Sequence, residues 1–142
     1  MARLERKTQK IFAEEADNNG IFGSLQAGAG QSTSDIAQIQ SLPAYSQGWN
    51  AATISSEKLP SLEEMQGLQY MFTTQLAYIF QDGMPEWDAN TTYYKGSMVK
   101  SMEGDDVVIY FSSADNNIGN PPASDSEYWT TWSTSGTVTY WD

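Results

Sequence analysis

The sequence predicts an α+β fold: an extended N-terminal arm, one long central helix and a small C-terminal antiparallel β domain. Three observations carry that expectation. A helix-start signal at Ser61 is followed by apolar residues at helical spacing. Beyond Pro85 the chain turns rich in aromatic and β-branched residues broken by turn formers. Before Ser32 it is rich in Gly, Ser and Ala and shows neither period. These boundaries give an arm over residues 1–31, a loop with short and long helices over 32–84, and a β domain over 85–142.

In the arm, Leu4 to Ala16 has a mixed pattern compatible with a helical turn. Asp17-Asn18-Asn19-Gly20 and the run Phe22 to Gln31 then read as extended chain with turns. Alone and exposed, such a segment is disordered; laid on a neighbouring subunit, it orders. In the next stretch Ser34 is expected to cap a short helix, Asp35 to Gln40, with Ile36 and Ile39 on one face and Pro43 ending it. Trp49 follows in polar company, either as a satellite core contact or as an interface anchor.

The central helix carries the clearest local signal. Ser61-Leu62-Glu63-Glu64 matches a capping box, with Ser at the N-cap and Glu three residues on, directly after Pro60. The helix is expected to run to about Gln81 and stop at Gly83, with Pro85 beyond. Met65, Leu68, Phe72, Leu76 and Ile79 fall on one face, widened by Leu62, Met71, Tyr78 and Phe80. Two coverings suit this stripe: the chain's own β domain, or copies of the chain around a symmetry axis. Met65, Phe72 and Ile79 are spaced by sevens, as in a short coiled-coil seam, and Gln75 interrupts the second seam.

In the β domain, Thr91 to Lys100 and Val107 to Ser112 are expected as strands about the turn formers Met102 to Asp106. Asp115 to Pro122 reads as a loop. Tyr128 to Ser133 and Gly136 to Trp141 read as two further short strands. The run Ala-Asp-Asn-Asn occurs at Ala16 to Asn19 and again at Ala114 to Asn117, both times as turn chemistry.

Charge is uneven along the 142 residues. The first ten hold Arg3, Arg6, Lys7 and Lys10 against Glu5, a net +3. The rest hold Lys58, Lys95 and Lys100 against 17 acids, a net −14. A body without a basic patch is not built to hold a phosphate backbone, so nucleic acid is not an expected partner. The basic tip is either solvated or docks on an acidic partner; the docking reading takes Arg3, Arg6, Lys7, Lys10, Phe12 and Phe22 as the contact residues. No apolar run approaches the ~20 residues that span a bilayer, so membrane insertion is not expected. Met1 to Lys10 is polar with no apolar core after it, so synthesis in a cytoplasm without a secretion signal is expected.

Catalytic chemistry finds little purchase. With no His and no Cys, nucleophilic triads, thiolate chemistry and His- or Cys-ligated zinc are excluded. Acid pairs occur at Glu63/Glu64, at Glu103 with Asp105 and Asp106, and at Asp125 with Glu127. Each sits in a cap or hydrophilic turn, where a solvated acid is the simpler reading than a glycosidase pair. Asp115-Asn116-Asn117 opens like a calcium loop, but Gly119 comes one residue early and no Glu closes it. The expectation is a non-enzymatic chain without cofactor or metal.

Two ordered sets of residues resemble known families. Gln47-Gly48-Trp49-Asn50, Ser55-Ser56-Glu57-Lys58-Leu59-Pro60, Leu62 to Leu68, Gln81-Asp82-Gly83, Met84-Pro85-Glu86-Trp87 and Tyr93-Tyr94-Lys95-Gly96 resemble the N-terminal region of bacteriophage tail fibre proteins. That family carries an Asn near the helix start where this chain has Gly67. The resemblance covers about half the chain. It implies a virion protein on the phage tail, oligomeric (usually trimeric), docked on other tail or baseplate proteins. If copies of the chain cover the helical stripe, Met65, Leu68, Phe72, Leu76 and Ile79 form the interface between them. Trp87, Tyr93, Gly96, Val99, Gly104, Tyr110, Pro121 and Trp129 are similar in order to the small chitin-binding module of chitinases and many phage fibres. The resemblance implies a short twisted antiparallel sheet with Trp87 and Trp129 in its core. The module's stacking pair is replaced here by Asp115-Asn116-Asn117, which leaves Tyr94, Trp132 and Trp141 as the free aromatics for a host surface glycan.

Overall fold

A computed structural model of the chain describes residues 5–53, 61–125 and 127–132. The chain divides into two compact units, Met1–Gln81 and Asp82–Asp142. Mixed helix and antiparallel sheet make it α+β, as the sequence predicts.

In the first unit, three one-turn helices precede a long one: α1 (Ile36–Ile39), α2 (Ala44–Gln47), α3 (Trp49–Ala52) and α4 (Leu62–Asp82). The 21 residues of α4 make a rod of about 31 Å at 1.5 Å per residue. Ser61 Oγ accepts the Glu64 N–H at 3.0 Å, so Ser61 caps the helix as its sequence position requires. Gly83 at φ +71° ends it in the left-handed region open to glycine. The short helices depart from expectation. Asp35, not Ser34, caps α1, its carboxylate accepting the Ala37 N–H at 2.9 Å. Pro43 opens α2 rather than closing α1, with its ring-fixed φ of −55° already helical.

The N-terminal segment is laid on the chain's own helix. Arg6 donates to the Phe80 carbonyl at 3.0 Å, and the Phe12 N–H donates to Thr73 Oγ1 at 2.9 Å. Gln66 donates to Asn18 Oδ1 at 2.8 Å, and the Gly20 N–H donates to the Glu63 carbonyl at 2.7 Å. The segment therefore runs antiparallel to α4, from its last turn to its first. It then turns back: Gly20 and Ser32 form a β-bridge, and Ile21, Phe22 and Ser24 are buried. The expectation of a segment that orders only on a neighbour is corrected for residues 19–24. Ile21 and Phe22 bury enough apolar surface to anchor them in place.

In the second unit, β1 (Met98–Glu103), β2 (Asp106–Ser112) and β3 (Trp129–Thr131) form an antiparallel sheet in sequence order. Glu103 opposes Asp106, so the hairpin turn is Gly104-Asp105 alone, tighter than the expected Met102–Asp106 cluster, with Gly104 at φ +65°. The first strand starts at Met98 rather than Thr91, because Gly96 at φ +90° breaks the extended run. Val99 opposite Tyr110 starts a core that Tyr93 and Trp129 complete, with Trp87, Val108 and Tyr128 packed against it. The expected strand Gly136 to Trp141 lies outside the described residues.

Candidate functional site

Helix α4 sorts its side chains onto two faces. Glu64, Gly67, Met71 and Ala77 are buried by the chain. Gly67 explains how the backbone comes so close there. A Cβ added at Gly67 would lie 2.2 Å from the Gly20 carbonyl oxygen, and one added at Gly20 would lie 2.7 Å from the Glu63 carbonyl carbon. Two bare backbones cross at van der Waals contact, which any side chain at either position would prevent. Where the tail-fibre resemblance expects Asn, this chain needs no side chain at all. Met71, read from sequence as widening the apolar stripe, belongs instead to this inward face and is 4% exposed.

About a third of a turn away, at 100° per residue, lies the predicted stripe. Met65 (40% exposed), Phe72 (53%), Leu76 (49%) and Ile79 (40%) stand uncovered, and Leu68 is half-buried at its border. From Met65 to Gln81 the helix carries no charged residue. The stripe continues sideways into an apolar groove formed by Phe22, Tyr45, Gly48, Trp49, Leu68 and Phe72. Phe22 is the hub of that groove. Its ring centroid lies 4.8 Å from Trp49 and 5.9 Å from Tyr45, both edge-on, an arrangement favoured by ring quadrupoles. Trp49 is exposed on the outer side of the cluster, so it is a core contact on one face and open on the other.

The predicted docking residues divide. Arg6 lies over the Phe80 ring at 5.1 Å while bonded to its carbonyl, so it stops the C-terminal, partially negative end of α4. Lys7 pairs with Glu5 at 2.8 Å on the surface. Lys10 and Phe12 are exposed. Phe22 is corrected: at 3% exposure it serves its own unit, because α2 and α3 bring Tyr45 and Trp49 over it. Arg3 lies outside the described residues.

Of the predicted sugar-facing aromatics, Tyr94 and Trp132 are exposed, at 56% and 55%. Trp132 packs beside Phe111, with ring centroids 5.8 Å apart. It joins an outer sheet face on which Met98 opposes Phe111, Lys100 opposes Ile109 and Met102 opposes Val107. The cavity there, about 450 Å³, is lined among the described residues by Val107, Val108, Ile109 and Trp132. Trp141 lies outside the described residues. The Asp115-Asn116-Asn117 segment is structural. Asn117 is wholly buried and donates to Ser112 Oγ at 3.1 Å while its Oδ1 accepts from Asn120 at 2.8 Å. Its backbone pairs with Tyr93 in both directions, and Asp115 accepts the Lys95 N–H at 3.0 Å. Sequence reasoning missed Asn117, taking it for a turn residue. Its counterpart in the other Ala-Asp-Asn-Asn run, Asn19, is buried as well.

Among the described residues, no helix is long and apolar enough to cross a membrane, and no group of three or more His, Cys, Asp or Glu is placed to hold a metal. Comparison with protein-family models, curated proteins and solved structures returns no match.

Proposed function

We propose that this chain is a non-enzymatic structural component of a bacteriophage tail, a small tail fibre or fibre-attachment subunit that works by protein–protein contact. One observation carries the assembly half of this reading: the exposed, charge-free stripe Met65–Phe72–Leu76–Ile79 and its continuation into the Trp49 groove. A contiguous apolar patch of this kind on a small chain marks an interaction surface. The phage half rests on the ordered resemblance from Gln47 to Gly96. A chain of net charge −11 repels its copies wherever its acids meet. The 65–81 stretch combines an exposed apolar stripe with freedom from that repulsion, which favours association of the chain with itself, as a trimer in the fibre reading. Exposed Lys10 and Phe12 remain for a tail or baseplate partner.

The proposed location is the virion tail, after synthesis in the host cytoplasm. Mass spectrometry of purified particles tests it: the reading expects the chain at a fixed copy number that is a multiple of the oligomer. Recovery only from the unassembled lysate fraction contradicts it. The exposure of Tyr94 and Trp132 favours a second reading, a module that stacks on a bacterial surface glycan. Tryptophan fluorescence titrated with envelope oligosaccharides checks that reading; no response across them removes it.

A further inference from the structure

Glu64 plays no part in the assembly surface, and its setting is unusual for a carboxylate. The residue is 1% exposed. Its Oε1 accepts the Leu25 N–H at 3.0 Å, while Oε2 is buried with no hydrogen-bond partner. A capping-box Glu ordinarily reaches back to its own N-cap N–H; here the 24–25 backbone has drawn it aside. Glu64 lines a cavity of about 370 Å³ together with Asn18, Gln31, Ser32, Ser61 and Glu63. A buried carboxylate is costly unless it is paired and both oxygens are bonded.

The chemistry of the missing partner follows from the lining. An ionised carboxylate only accepts, so the partner must donate. Glu63 on the same wall repels an anion. The two carboxylates fall short of a metal-holding acid group. We infer that this cavity binds an organic cation bearing N–H groups, a primary ammonium or guanidinium head seated on Glu64 Oε2. An ammonium has three donors, which leaves two for the Ser32 and Gln31 side chains after Glu64 is satisfied. Leu25 and Gly30 line the cavity and the turn between them is exposed throughout, so a shift of that turn admits the ligand to Oε2. The head group belongs either to a free small amine or to a Lys or Arg side chain of a partner protein.

The test is an amide-resolved NMR titration of the full chain with methylammonium chloride, with tetramethylammonium chloride at equal ionic strength as control. Saturable shifts confined to the Gly20, Leu25, Glu63 and Glu64 amides are expected with methylammonium alone, because tetramethylammonium has no N–H to give. Glu64→Gln keeps an acceptor for Leu25 and removes the charge; it is expected to raise the half-saturation point by about tenfold or more, as loss of a charge-assisted bond requires. An unsaturable response, an equal response to both cations or an unchanged titration in Glu64→Gln overturns the site. Should Glu64→Gln fail to fold, the two-cation comparison on the native chain decides alone. Nα-acetyl-lysine amide separates the sources: binding at least as tight as methylammonium assigns the site to a protein side chain, and weaker binding to a small amine.

Discussion

Gly67 is where residue identity matters most to this architecture. On helix propensity alone, Gly67→Ala would stabilise α4 by about 1 kcal/mol. The Gly20 carbonyl, 2.2 Å from where that methyl would sit, reverses the sign. Overpacking of this kind costs ~1–3 kcal/mol, and either the 19–24 segment lifts or the helix shifts. Urea denaturation is expected to show a net loss of about 1 kcal/mol; a gain in stability would mean that the backbones do not cross there. Asn117 is the equivalent position in the C-terminal unit. Asn117→Ala strands the Asn120 amide and removes the bond to Ser112, and the expected loss is about 2 kcal/mol. Neither role was legible in the sequence. A glycine in a helix and an asparagine after Asp-Asn read as local features, whereas their partners, Gly20 and Tyr93, lie 47 and 24 residues away.

At the scale of elements, what the sequence encoded locally was readable and what it encoded by contact was not. Helix α4 has its cap at Ser61 and its stop at Gly83, both next to the helix in sequence. Its apolar spacing gave the exposed residues Met65, Phe72, Leu76 and Ile79, with Leu68 half-buried at their border. The same spacing placed Met71 on the wrong face, because Gly67 and Ala77 are too small to signal that the chain packs over them. The one-turn helices α2 and α3 have no amphipathic period to detect and are held by Phe22 instead. In β2, Val107–Phe111 is apolar on both faces, the pattern of a strand covered on both sides; among the described residues only the Val99–Tyr110–Trp129 side is closed. Under the proposed function the outer face of α4 serves association rather than stability. Replacing Phe72 and Leu76 together by Glu is expected to leave the far-UV helix signal unchanged and to weaken self-association at least about 100-fold, since buried interface anchors cost ~2 kcal/mol or more each when lost. Loss of helix instead of association would place those side chains in the fold.

For the whole molecule, the balance lies between charge and apolar surface. Seventeen acids beyond the basic first decade keep copies apart in general. In the proposed assembly, a rod of about 31 Å with an apolar outer stripe and no charge over 17 residues is what brings them together. The N-terminal segment contributes by holding α4 along its length, from Arg6 at Phe80 to Gly20 at Glu63, so the stripe is presented on a supported helix. Specific interfaces bury ~1,600 Å², and the stripe with the Trp49 groove is a continuous apolar surface available for it among the described residues of the N-terminal unit. The most direct measurement is the mass of the purified chain by light scattering on a sizing column at micromolar concentration. The account predicts a multiple of 15.7 kDa, three-fold in the fibre reading, that falls to the single-chain mass in the Phe72→Glu, Leu76→Glu variant. A native chain that elutes at 15.7 kDa across the concentration range would contradict it.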